Sequence, residues 1–165
     1  DGYLATNGGK IEANKEPSGA ASNSYDNVGA GYRASGPGSY INCNSSLAVT
    51  NGGGGRVSEY GGAMDITSSA ATSNTGVGNL AQFGGGLYGD SAVATSNTSH
   101  GFHCDVKSWA NGSSWTANSN GGYGFRADDL SYMRIPSSGG TLNSSGFDSP
   151  PTSGTAANNG SYIEN

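Results

Sequence analysis

The chain has 165 residues, of which 30 are glycine, 33% are hydrophobic and only 12% are charged. Low charge argues against disorder, since disordered chains combine low hydrophobicity with high net charge. Scarce helix formers and the missing i, i+3, i+4, i+7 apolar pattern argue against a helical fold. The net charge of −5, with seven Lys and Arg spread singly, leaves no basic patch for nucleic acid, and no apolar run approaches a membrane span.

In chain order, residues 1–21 fit no regular frame and are expected to form an irregular lead-in or N-terminal cap. From residue 22 to 146 a 23-residue repeat takes over. Asn51, Asn74, Asn97, Asn120 and Asn143 are each 23 apart, and Asn27 lies 24 before Asn51. Gly31, Gly55, Gly78, Gly101 and Gly124 follow the asparagines by four. Ser22, Ser45, Ser68, Ser91, Ser114 and Ser137 form a second unbroken column, and Ala48, Ala71, Ala94, Ala117 and Gly140 a third. An apolar column runs through Ile41, Met64, Leu87, Ala110 and Met133. Residues 147–165 lose the register and are expected to be an irregular C-terminal cap or linker. The first Met is Met64, so the chain is expected to be processed or part of a longer product.

A strict period of this length means one structural unit stacked on the next. Twenty-three residues without helix formers suit short strands joined by tight turns. The expected fold is therefore all-β: a single-domain parallel β-helix, or β-solenoid, of about six rungs at strand spacing, ~4.8 Å. The apolar and alanine columns should face inward, and the glycines should serve turns or close backbone approach. The Asn column fits either a left-handed turn or a ladder of stacked amides, and the Ser column either a hydroxyl ladder or a turn residue. Cys43 and Cys104 fall in different columns, between two and three rungs apart. That is beyond the ~7 Å limit for a disulfide, so both are expected to be free thiols.

Chemistry is sparse. Glu59, Gln82, Asp105 and Asp128 share a column, so Asp105 and Asp128 should lie about one strand spacing apart. A retaining glycosidase needs two carboxyls at ~5 Å, which makes these the candidates if the chain is an enzyme; the competing reading is a turn aspartate after the Phe strand. Within a strand His100 and His103 would face different sides, and without metal-site spacing they read as surface or turn histidines. No nucleophile elbow, phosphate loop or dinucleotide fingerprint occurs, so no metal and no cofactor are expected. Phe102 and Phe125 should stack in the core or at a seam between subunits. Trp109 and Tyr132 share an outward column and are candidates for sugar stacking or subunit contact, with Tyr88 and Trp115.

The rungs NTSHGFHCDVKSW (97–109) and NGGYGFRADDLSY (120–132) resemble the β-helical repeats of bacteriophage tail fibres and tailspikes, over roughly residues 27–147. The resemblance implies an extracellular virion protein, a homotrimer of β-helices that binds or cleaves bacterial surface polysaccharide. The chain departs from the enzymatic members in lacking an identifiable acid pair. A non-enzymatic structural and receptor-binding segment is therefore the leading expectation. The alternatives are a self-assembling extracellular filament or adhesin subunit, a polysaccharide depolymerase, and an ice-binding solenoid, the last weakened by the absence of a Thr-x-Thr ladder.

Overall fold

In a computed structural model, which describes residues 1–13, 22–144 and 160–164, the chain winds into stacked coils of about 23 residues. Among the described residues there are strands and turns but no helix. The coils place their strands in three parallel sheets of six, seven and six strands. Sheet A contains Ala30–Ser35, Gly54–Glu59, Asn79–Gln82, Phe102–Asp105 and Phe125–Ala127; sheet B runs through Tyr40–Asn42, Gly86–Tyr88, Trp109–Asn111 and Tyr132–Arg134; sheet C through Leu47–Val49, Val93–Thr95 and Thr116–Asn118. The expected β-solenoid is the observed fold.

The columns become cross-strand partners. Met64, Leu87, Ala110 and Met133 pair in succession in sheet B and are fully buried. Ala48, Ala71, Ala94 and Ala117 do the same in sheet C. Period-2 alternation then sends each flanking residue outward.

The three corners of each coil explain the remaining columns. Ser45, Ser68, Ser91, Ser114 and Ser137 all have φ between 53° and 59°, so the serine column is a left-handed turn position. Another left-handed corner precedes the asparagine column, at Thr50, Ser73, Ser96 and Ser119. The asparagines themselves form a buried amide ladder. Asn74 donates from its backbone N and from Nδ2 to Asn97 Oδ1, at 3.1 and 2.9 Å, and its Nδ2 also donates to Ala48 O at 3.0 Å. The same pattern repeats at Asn97 and Asn120. The ladder demands the glycine beside it: a Cβ on Gly78 would lie 2.7 Å from Asn97 Nδ2 and 2.7 Å from Gly101 O.

The sheets extend beyond the regular columns. Tyr3–Thr6 pairs with Ala30–Ser35, Lys10–Glu12 with Tyr40–Asn42, and Tyr162–Glu164 with Tyr132–Arg134. Tyr3 opposes Tyr32 and Tyr132 opposes Tyr162, offsets of 29 and 30 residues, so the end coils carry extra sequence that hides their register. Residues 14–21, 147–159 and 165 of the expected end segments, and 145–146 of the expected solenoid, lie outside the described residues. Cys43 and Cys104 are buried free thiols, as expected.

Candidate functional site

Two surfaces gather the chemistry. The first is the outer face of sheet B, where Trp109, Tyr132 and Tyr162 are successive register partners, each about 40% exposed. Tyr132 and Tyr162 stack with centroids 6.0 Å apart, and Tyr88 stacks on Trp109 at 6.4 Å and on Tyr40 at 6.3 Å. The result is one aromatic ridge along the solenoid axis. Gly86, the register partner of Trp109, lets the indole lie flat over the preceding coil, where a side chain would collide with it. The ridge is held by polar contacts at its ends: Tyr88 Oη donates to Tyr40 Oη at 2.7 Å, and Tyr132 Oη to Glu164 Oε2 at 2.5 Å. The contact with Glu164, followed by burial, raises the Tyr132 phenol above its ordinary value.

Trp115 does not belong to this surface. It is fully buried, stacks on Phe102 at 4.6 Å, and its Nε1 donates to Gly89 O at 2.6 Å. The physical reason is volume. Gly112 occupies the column of Ile66 and Ile135, and the indole fills the space that its missing side chain leaves: a Cβ there would collide with Trp115 Nε1. Phe102 and Phe125 likewise stack inside the core, at 5.3 Å, and form no seam between subunits.

The second surface is the outer face of sheet A. Glu59, Gln82, Asp105 and Asp128 fall in the expected column, but their surroundings differ. Both Glu59 oxygens are occupied, Oε1 by Arg33 Nη1 at 2.9 Å and Oε2 by Gln82 Nε2 at 2.7 Å. Asp128 Oδ2 meets His103 Nε2 at 2.9 Å and accepts a close bond from Arg126 Nε. Burial alone would push the Asp128 carboxyl up, but the Arg126 and His103 contacts outweigh it and hold it below its ordinary value. The Asp105 carboxylate accepts no hydrogen bond from any described residue, while its atoms lie within 4.8 Å of those of His103 and Asp128.

His100 and His103 do not alternate sides as two residues of one strand would, but meet edge to face at 5.1 Å. His100 sits in the turn before the strand, not within it, and can therefore fold back. Its Nδ1 accepts from Tyr123 N at 2.9 Å. Burial, followed by His103 and Arg126, lowers His100 to about 4; burial also lowers His103, against the pull of Asp128.

The carboxylates of Asp105 and Asp128 come together as expected, with ligand atoms within 4.8 Å of one another, and that of Asp128 is already engaged by Arg126 and His103. On sheet C, Thr72, Thr95 and Thr141 share one outward column with Asn118, beside Ala70, Val93, Thr116 and Gly139. No described coil carries threonine at both outward positions. Compared with known proteins, the chain matches no protein family, no curated protein and no solved structure.

Proposed function

We propose that this chain is a non-enzymatic structural and receptor-binding β-solenoid that holds bacterial surface polysaccharide along the aromatic ridge of sheet B, in the manner of a phage tail fibre or tailspike segment. The observation that carries this reading is the ridge itself. Soluble surfaces rarely align large rings without a partner, and flat rings with polar margins suit the apolar faces and hydroxyl edges of a glycan. Asn111, Arg134 and Glu164 supply that margin beside Trp109, Tyr132 and Tyr162. The rigid sheet fixes the ring spacing, so a repeating polymer is met by a preorganised surface. Such a segment would work as an extracellular homotrimer.

The test is binding to an array of bacterial surface polysaccharides. Trp109→Ala and Tyr132→Ala should each weaken capture by about tenfold, from the loss of one stacking platform worth ~1.4 kcal/mol. Unchanged capture in both variants, or no capture by the parent chain, overturns the reading. Electron microscopy separates finite trimeric spikes from the indefinite fibres that a filament subunit would form.

A further inference from the structure

We propose that His103, Asp105 and Asp128 form a binding site for a divalent transition-metal ion of the Zn2+ class on the outer face of sheet A. Their ligating atoms, one imidazole nitrogen and two carboxylate oxygens, lie within 4.8 Å of one another. Metal–ligand distances of about 2.0–2.2 Å bring such atoms to ~3.4 Å apart, a change that side-chain rotation supplies. The parallel ladder fixes the backbone beneath them: Phe102 and Cys104 oppose Phe125 and Ala127, so the two strands present their outward residues side by side.

Charge favours a cation at this point. Along the same column Glu59 is matched by Arg33 and Gln82, and Asp128 by Arg126 and His103. Asp105 stands between them, half-buried, with no described donor on its carboxylate. With His103 neutral, two carboxylates face one guanidinium, and the cluster carries an excess negative charge in a partly desolvated place. Arg126 stays on the Asp128 carboxylate when the ion arrives, holding it in place as an outer partner. The ion takes the position between His103 Nε2 and Asp128 Oδ2, and the imidazole proton moves from Nε2 to Nδ1. One nitrogen with two oxygens suits a borderline transition ion better than Mg2+ or Ca2+, which prefer oxygen alone. Three protein ligands leave at least one coordination position for water or for a hydroxyl or carboxylate of a bound ligand. His100 is no ligand, because its Nδ1 accepts from Tyr123 N and its Nε2 lies against Arg126 Nη1 at 3.2 Å.

Equilibrium dialysis of the intact chain against Zn2+, with thermal melts alongside, tests the site. A single Zn2+ per chain and a Zn2+-dependent rise in Tm are expected. Affinity should fall at least about tenfold in Asp105→Asn and in His103→Gln and persist in His100→Asn. Asp105→Asn disturbs no hydrogen bond among the described residues, so it decides the matter even if His103→Gln fails to fold. No Zn2+ uptake by the parent chain, unchanged affinity in Asp105→Asn, or loss in His100→Asn alone would overturn the assignment.

Discussion

At the scale of single residues, the imidazole of His100 has the largest consequence. Its pKa falls from the ordinary 6.5 to about 4, through burial first and then the proximity of His103 and Arg126. A histidine depressed in the folded state binds its proton more readily once unfolded. The folded chain therefore keeps its full stability above about pH 6.5 and loses part of it as the pH falls toward about 4. Thermal melts between those limits should show Tm dropping with acidification. In His100→Asn the amide oxygen can still accept from Tyr123 N–H, but the side chain does not titrate. The slope over that window should flatten, leaving the part due to His103, which is also depressed. An unchanged slope would mean that the acid sensitivity comes from other groups.

At the scale of the element, the asparagine ladder carries the polar backbone of one corner through every coil. Removing one amide breaks bonds in both directions. In Asn97→Ala, the backbone N and Nδ2 of Asn74 lose their acceptor, and Ala71 O and Asn120 Oδ1 lose a donor. All of these groups are buried, so the expected cost is about 2–4 kcal/mol, measured by chemical denaturation. Changing the neighbouring corner residue, Ser96→Asn, keeps a residue that tolerates the left-handed turn and should cost little by comparison. The asparagine column, the inward columns and the outward pairing of Trp109 with Tyr132 were legible in the sequence because they recur at a fixed offset of 23, while the choice between a turn and an amide ladder for the asparagines needed the backbone. Contacts that run diagonally between coils were not. His103 reaches Asp128 across 25 residues, one coil plus two positions, so comparing residues within a column never brings the two together. Trp115 was misplaced for a related reason: it sits at a corner, where strand alternation gives no direction. The clue was elsewhere, in Gly112, which interrupts the Ile66–Ile135 column.

At the scale of the whole molecule, each coil touches mainly its neighbours, so stability is a sum of local terms and need not be uniform. One inward column of sheet A makes the unevenness visible. It begins with Tyr3 stacked on Tyr32, continues through Arg56 and Asn79, and ends with Phe102 stacked on Phe125. Arg56 is fully buried with its guanidinium over the Tyr32 ring, donating to Ser46 O at 2.8 Å, to Ser46 Oγ at 3.1 Å and to Asn79 Oδ1 at 3.3 Å. No carboxylate pairs with it among the described residues, and its Nε and the Asn79 Nδ2 lack partners. A buried charge without a counter-charge costs several kcal/mol even when hydrogen-bonded, so the coils around Arg56 should be the first to open. The two thiols report on this directly. Burial raises both above their ordinary value, which leaves them unreactive while folded. Cys43 belongs to the Arg56 region, and Cys104 lies beside the Phe102–Phe125–Trp115 stack. Thiol labelling at rising denaturant should therefore modify Cys43 before Cys104. Arg56→Met combined with Asn79→Leu, which also removes the buried amide that the guanidinium would leave without a donor, should stabilise the fold by about 1–3 kcal/mol and bring the two labelling midpoints together. Coincident midpoints in the parent chain would show that the coils unfold as one unit and that the buried guanidinium is better accommodated than its contacts indicate.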